Sequence, residues 1–256
     1  MIPGEVAVAP APPRLEWRVA TVREVRRETP RARTLVLDVP RWPGHRAGQH
    51  LDVRLVAEDG YQAQRSYSIA SPPEEAAVAI TVERLEDGEV SPYLCDVLGP
   101  GDGVEVRGPI GGYFAWDAAQ GGPLFLVAGG SGVVPLMAML RHRALAGAAA
   151  AEVPARLLYS AREWDDVIYR DELARLAADP AVRVAFTLTR GAPPGWDGFR
   201  RRIDREMLAE AGWPPEDRPR VFVCGPTALV ETAATLLVGL GHDPARVRLE
   251  RFGATG

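Results

Sequence analysis

The chain contains no lysine, so all 30 of its basic side chains are arginines. They are outnumbered by 34 aspartates and glutamates, which gives a formal net charge of -4 at pH 7. This balance offers no overall reason to expect nucleic acid or an anionic membrane surface as a partner.

Cysteine and histidine are scarce as well. The two cysteines, Cys95 and Cys224, are too few for an iron–sulfur cluster, which usually takes four thiolates. They also make a secreted disulfide framework unexpected. None of the four histidines has metal-ligand spacing with another, which argues against a metal hydrolase.

A long hydrophobic run is missing too. No apolar stretch approaches the roughly 20 residues that a membrane span needs. Residues 2–13 have neither the basic start nor the apolar centre of a signal peptide. The sequence therefore predicts a cytoplasmic protein whose residues 1–16 form a flexible, proline-rich leader.

Residues 17–116 show the alternation of apolar and polar side chains that is typical of strands. Glycine and proline turns separate six short segments of this kind, and one short helix at residues 91–98 interrupts them. Such a series predicts an antiparallel β-barrel domain. The predicted strands cover residues 17–25, 34–39, 51–56, 61–69, 78–85 and 103–107.

Residues 120–256 have a different pattern. The continuous apolar run at residues 124–128 is typical of a strand buried on both faces of a parallel sheet. Helical and strand segments alternate after it, which predicts a doubly wound α/β domain. The helices are expected at residues 134–145, 169–177, 204–211 and 227–240, the further strands at 155–159, 182–188, 220–223 and 247–250, and a linker at 147–152.

In the first domain, Arg65-Ser66-Tyr67-Ser68 combines a fixed cation, an aromatic ring and two hydroxyls. On a strand, Ser66 and Ser68 would share one face, and Arg65 and Tyr67 the other. A guanidinium suits phosphate oxygens, and a phenol ring suits a planar heterocycle. The stretch therefore suits a flavin nucleotide, although an ordinary exposed strand also carries such residues.

In the second domain, the glycine turn at residues 129–135 joins the first strand to the first helix. Its glycines allow close backbone approach, and a helix N-terminus attracts phosphate, although the turn lacks GxGxxG spacing and a simple tight turn is the alternative. After the next strand, Ser160 and Arg162 suit a 2′-phosphate, and Arg170 and Arg190 could join them. We therefore favour NADPH over NADH.

The fourth strand of this domain ends in Cys224-Gly225-Pro226. The small side chain followed by glycine leaves room for a ring to lie across the strand ends. The alternative is that Cys224 is a small buried side chain, the usual state of a free cysteine, and no base is placed to activate it.

Taken in order, these motifs resemble the ferredoxin–NADP reductase superfamily. The likeness extends over about residues 17 to 252. The closing segment at residues 249–253 resembles the reductase components of bacterial oxygenase systems. The motifs that carry the resemblance are Arg65 to Ser68, Gly88 to Ser91, Gly108 to Gly111, the turn at 129–135 and Cys224 to Pro226.

The resemblance implies an FAD site in the barrel. Arg65 would hold a flavin phosphate, Tyr67 would pack on the isoalloxazine, and Ser68 would hydrogen-bond near its N5. The backbone from Ile80 to Val82 would line the ribityl chain. The pyrophosphate would lie against the loop amides and hydroxyl of Gly88, Glu89, Val90 and Ser91, and this second phosphate site favours FAD over FMN.

The resemblance also implies how the two domains cooperate. The turn at Gly130, Ser131 and Gly132 would receive the nicotinamide nucleotide's pyrophosphate. Cys224 would lie beside the nicotinamide, with Glu250 close by, so Ser68, Cys224 and Glu250 are the candidate catalytic residues. Phe252 would cover the flavin, although four residues follow it where plant-type relatives end in an aromatic.

The combined hypothesis is an FAD-dependent oxidoreductase that takes a hydride from NADPH or NADH. The cysteines of a fused iron–sulfur domain are absent, so we expect a separate electron acceptor. The first fifty residues carry nine arginines against five acids, which favours an acidic ferredoxin that feeds an oxygenase. A free-flavin reductase and a non-catalytic flavin- or nucleotide-binding subunit of a larger redox complex are the alternatives.

Overall fold

The computed structural model describes residues 15–253, which form a β-domain followed by an α/β-domain. Most of the predicted leader, residues 1–14, lies outside the described residues. Strand pairing is antiparallel up to residue 110 and parallel from residue 124 onward. The domain boundaries that we expected from the sequence, 17–116 and 120–256, stay a prediction.

The first domain is a six-stranded antiparallel sheet with the strand order β4-β3-β6-β1-β2-β5. A bridge between Ile69, just after β4, and Ile80 on β5 brings the two edges together and closes the barrel. This architecture confirms the predicted antiparallel barrel. Its elements are β1 (Trp17–Arg27), β2 (Ala32–Asp38), β3 (His50–Val56), β4 (Gln62–Ser68), β5 (Val78–Glu83), α1 (Ser91–Asp96) and β6 (Gly103–Ile110).

Strand β5 is buried on both of its faces. Ile80 and Val82 point into the barrel core, whereas Ala79 belongs to a cluster that extends into the second domain. Alternation along the strand therefore places one set of side chains inside the barrel and the other against the α/β-domain. The near-continuous burial of β5 marks the domain interface.

The second domain is a five-stranded parallel sheet with the order β11-β10-β7-β8-β9. Its apolar core lies on both faces of the sheet, since Leu126 and Val127 of the central strand belong to different clusters. This confirms the doubly wound prediction. The elements are β7 (Leu124–Gly129), α2 (Val133–Leu145), α3 (Ala148–Ala151), β8 (Ala155–Glu163), α4 (Arg170–Leu176), β9 (Val182–Gly191), α5 (Arg205–Ala211), β10 (Arg220–Pro226), α6 (Thr227–Gly239) and β11 (Val247–Phe252).

The alanine-rich segment at residues 147–152, which the sequence predicts as a linker, contains the one-turn helix α3. Gly147 precedes this helix with a φ of +99°, a left-handed conformation that glycine adopts without a steric penalty. Four alanines cannot sustain an isolated helix, so this turn exists because it packs against α2.

Polar contacts join the two domains. Arg141 on α2 donates to both carboxylate oxygens of Glu172 at 2.8 and 2.6 Å, and to the carbonyl oxygen of Ala70 in the first domain at 2.7 Å. The hydroxyl of Thr81 on β5 contacts the hydroxyl of Tyr169. These contacts fix the barrel against the α/β-domain beside the buried face of β5.

Within residues 15–253, no helix combines the length and the apolar character that crossing a membrane would require.

Candidate functional site

The candidate site begins at the centre of the parallel sheet, where β7 and β10 are neighbours. The helices that follow these strands pack on opposite faces of the sheet, and ligands of such folds bind in the crevice at the strands' carboxyl ends. Gly132 shows how closely the backbones approach there. A Cβ on Gly132 would lie 2.2 Å from the carbonyl oxygen of Cys224, so only glycine fits.

Three side chains from both domains meet at this edge. Cys224 on β10 and Glu250 on β11 are paired in register, and the Cys224 Sγ lies 3.9 Å from Glu250 Oε1. The hydroxyl of Ser68, at the end of β4, donates to the same carboxylate oxygen at 3.3 Å. The structure thus brings together the three residues that the sequence nominates as catalytic, although Ser68 and Glu250 are 182 positions apart in the chain.

Burial sets the protonation of this cluster. It raises the pKa of Glu250 from 4.5 to about 7, against the opposing hydrogen bonds from Ser68 and Cys224. Burial, together with the neighbouring Glu250, holds the pKa of the Cys224 thiol well above its usual value. At neutral pH the cluster therefore contains a thiol, a hydroxyl and a carboxyl group that can hold or release a proton.

The Arg65–Ser68 segment lies on β4, and its side chains alternate as the sequence predicts. Tyr67 packs against the barrel core, and this burial raises its pKa. Arg65 reaches Glu89 in the loop before α1 at 2.8 Å. Ser66 donates to Asp52 at 2.7 Å, so its hydroxyl is engaged within the sheet rather than beside Glu250.

The loop from Gly88 to Ser91 presents unused hydrogen-bond donors. Among residues 15–253, no backbone or side-chain acceptor takes the backbone N–H of Glu89, Val90 or Ser91. The Ser91 hydroxyl oxygen accepts from the Leu85 N–H at 3.0 Å and keeps its own hydrogen to donate. With Arg65 facing this loop, the donor set fits a pyrophosphate group, and the carboxylate of Glu89 is the feature that opposes it.

The remaining residues predicted for the flavin occupy different environments. The side chains of Ile80 and Val82 are buried in the barrel core, so only their backbone can meet a ligand, as expected. Phe252 is 37% exposed at the end of β11, where it pairs with Pro226 at the crevice. Its role as a cover for the flavin stays a prediction.

At the other end of the crevice, β8 and β9 run side by side. Ser160 is buried near the end of β8, whereas Arg162 and Arg190 are exposed on the adjoining strand ends. These three residues lie on neighbouring strand ends, and their role in binding a 2′-phosphate stays a prediction. The intervening register shift between Ala161 and Glu163 turns the last residues of β8 away from regular pairing.

Arg170, the fourth residue predicted for this pocket, has contacts of its own. It begins α4 and lies 3.7 Å from Asp165 and 3.8 Å from Asp171, with its guanidinium over the ring of Trp164. It lines a cavity of about 530 Å³ between the domains, together with Arg26, Arg27, Arg141, Arg175 and several acids. Because α4 starts beside the barrel, we now expect Arg170 to face this cavity rather than the nucleotide pocket.

Sequence reasoning missed one residue at the site, His50, and the side-chain contacts of another, Glu89. His50 on β3 pairs directly with Ser68, and its half-buried ring has a lowered pKa because of desolvation. Glu89 was expected to contribute its amide, but its side chain binds Arg65 and Tyr61. The alternation of β3 could have placed His50 on the Ser68 face, whereas no local signal predicts the contact of Glu89.

Comparisons with known proteins cover both domains. Residues 19–115 match the model of the oxidoreductase FAD-binding domain, and residues 126–235 match that of the oxidoreductase NAD-binding domain. A ferredoxin–NADP reductase B from Sorangium cellulosum is 38% identical over 216 residues, which cover 80% of this chain and 84% of that protein.

Larger proteins match as well. The reductase subunit of glycine betaine monooxygenase from Chromohalobacter salexigens is 35% identical over 81% of this chain, and the match spans only 56% of that subunit. The crystal structure of an Amycolatopsis cytochrome P450 reductase superposes with a TM-score of 0.81 at 27% identity, covering 94% of this chain and 71% of that one.

Proposed function

The chain belongs to the ferredoxin–NADP reductase family of FAD- and NAD(P)-binding oxidoreductases, and we propose that it carries electrons from NADPH or NADH to a separate acceptor protein. FAD, when bound, exchanges an electron pair with a nicotinamide and single electrons with an acceptor. The chain's own part is to bind, orient and shield the two nucleotides.

The observation that carries this proposal is the contact of Ser68 and Cys224 with one oxygen of Glu250. It places a hydroxyl from the barrel and a carboxyl from the α/β-domain where the two nucleotide-binding regions meet. Because the pKa of Glu250 is raised to about 7, this carboxyl can hold a proton at neutral pH and release it. The Cys224 thiol, which stays protonated, acts by its size and shape rather than as a nucleophile.

We propose NADPH as the better electron donor, because Arg162 and Arg190 stand at adjoining strand ends and neither forms an ion pair within residues 15–253. Guanidinium groups recognise phosphate strongly, whereas a free 2′-hydroxyl is usually bound by an acid. NADH remains the alternative donor.

The decisive experiment is an anaerobic absorbance spectrum of the purified protein, followed by stoichiometric NADPH and, separately, NADH. We expect a yellow protein that bleaches, and more readily with NADPH. A yellow protein that neither nucleotide bleaches would refute the enzymatic proposal and leave a non-catalytic binding subunit.

The proposed acceptor is an acidic ferredoxin that serves an oxygenase. The support is local: Arg27, Arg41 and Arg46 are exposed and form no ion pair among the described residues. Other arginines of this region are already neutralised, since Arg26 binds Glu24 at 2.7 Å. The test is cytochrome reduction through a ferredoxin, which should slow as salt rises to about 0.5 M, where exposed charges are screened. A rate insensitive to salt would refute this docking.

A second candidate function, free-flavin reductase, has one observation in its favour. The carboxylate of Glu89 forms an ion pair with Arg65, the residue that is expected to hold the flavin phosphate. This contact favours a loosely bound flavin. Protein that is colourless after purification, yet reduces added flavin with NADPH, would support this candidate over the first.

A further inference from the structure

We propose that Glu89 competes with the FAD phosphates for Arg65, so that FAD binds less tightly than it would without this carboxylate. This inference rests on the proposed FAD site. It concerns the side chain of Glu89, whose carboxylate contacts the arginine that is expected to hold a flavin phosphate.

The geometry of Glu89 resembles that of a bound anion. One carboxylate oxygen accepts from Arg65 Nη2 at 2.8 Å, and the other accepts from the hydroxyl of Tyr61 at 2.6 Å. The hydrogen bond from Tyr61 and the charge of Arg65 lower the pKa of Glu89, so it is ionised at neutral pH. The carboxylate thus makes the same kind of two-oxygen contact that a phosphate would make.

The competition has two parts. The second Nη atom of Arg65 also donates within the protein, to the Gln64 carbonyl oxygen at 2.7 Å. A phosphate that takes the position of the Glu89 carboxylate on Nη2 must therefore displace it. In addition, the carboxylate and the phosphate would lie near each other with the same sign of charge. Both effects weaken FAD binding.

The displacement is feasible because the pair is exposed. The side chains of Arg65 and Glu89 are 40% and 46% accessible, and ion pairs of this kind contribute little. The loop is also free to present its amides once the carboxylate turns away, because no protein acceptor takes the N–H groups of residues 89–91 within the described chain. Glu89 therefore lowers the affinity without closing the site.

The opposite interpretation is that Glu89 orients Arg65 for the cofactor, in which case removing the carboxylate would weaken binding. The two interpretations predict opposite signs for one substitution. Glu89→Gln keeps the size of the side chain and removes its charge. Glu86→Gln is the matched control, because Glu86 is an exposed glutamate of the same loop and forms no ion pair within residues 15–253.

The experiment is a fluorescence titration of flavin-free protein with FAD, FMN and riboflavin at low salt. For Glu89→Gln we expect the dissociation constants of FAD and FMN to fall by about fivefold. This is the largest change in an equilibrium constant that an exposed ion pair usually produces. Riboflavin, which has no phosphate, should bind the variant and the wild type equally. Glu86→Gln should resemble the wild type, and salt at about 0.5 M should reduce the difference.

Three results would overturn the inference alone: weaker FAD binding by Glu89→Gln, unchanged binding, or an equal gain for riboflavin. The Arg65→Gln background adds an independent check. Once the guanidinium is gone, Glu89→Gln should increase the affinity for FAD much less than it does in the wild-type background. If neither the wild type nor any variant binds FAD saturably, both the inference and the proposed function are refuted.

Discussion

Replacing Glu250 with glutamine should change how the stability of the protein depends on pH. Below pH 4.5 the carboxyl is protonated in both the folded and the unfolded chain, so it has no effect. Between pH 4.5 and about 7 the unfolded chain has lost the proton while the folded chain keeps it. The free energy of unfolding therefore falls with rising pH in this window, and it stays lowered above pH 7.

The size of the effect follows from the raised pKa. The difference between about 7 and 4.5 is about 2.5 units, and each unit corresponds to about 1.4 kcal/mol. Glu250 therefore costs the folded state up to about 3–4 kcal/mol above pH 7. In Glu250→Gln no charge appears, so the variant should gain up to this amount relative to the wild type between pH 4.5 and pH 8.

The assay is urea unfolding of flavin-free protein at several pH values between 4.5 and 8.5. The quantity of interest is the difference in unfolding free energy between Glu250→Gln and the wild type, because titrating groups that do not contact Glu250 cancel in it. A difference that stays constant over this range would refute the reasoning. Ser68→Ala supplies a second check: its lost hydrogen bond should raise the pKa of Glu250 and move the transition to higher pH.

Three further predictions test other parts of the structure. Gly132→Ala should lose about 1–3 kcal/mol in thermal unfolding because its Cβ meets backbone atoms of Cys224, whereas Gly112→Ala, which has open space, should not. Arg162→Gln should raise the KM for NADPH about tenfold and leave the KM for NADH unchanged. Arg170→Gln should change neither KM. Equal effects of Arg162→Gln on both donors would contradict a 2′-phosphate contact. Arg141→Met should lose about 3 kcal/mol in urea unfolding because it leaves Glu172 without its partner, and Glu172→Leu in that background should restore part of the loss.

The fold could be predicted from the sequence because hydrophobic periodicity differs sharply between the two halves. The strands of the barrel alternate, whereas the run at residues 124–128 is buried on both faces. The predictions failed mainly at strand ends: β8 and β9 continue for several polar residues, through Glu163 and Gly191. These residues pair with a neighbouring strand, and their polarity reflects the crevice that they approach rather than their conformation.

The site was predicted less completely. Glycines and an arginine indicate where phosphates can bind, because such residues bind phosphate through local geometry. The position of Arg170 depends instead on where α4 starts, and that start follows Tyr169, which has a left-handed φ of +61° and contacts Thr81 of the barrel. No local pattern predicts a conformation that is stabilised by a contact 88 positions away.

The raised pKa of Glu250 depends on the domain interface in the same way. Strand β11 lies at the edge of its sheet, and within residues 15–253 it pairs with β10 alone. A contact outside the sheet must therefore hold it against the barrel. Arg248 does this: it lies two residues before Glu250, on the same face of the strand, and donates to the carbonyl oxygens of Tyr113 at 2.9 Å and Ala115 at 2.8 Å. Because Arg248 binds the segment that ends the barrel, Glu250 is held beside Ser68 and away from water, and the same contact that joins the domains also sets the proton affinity of the carboxyl.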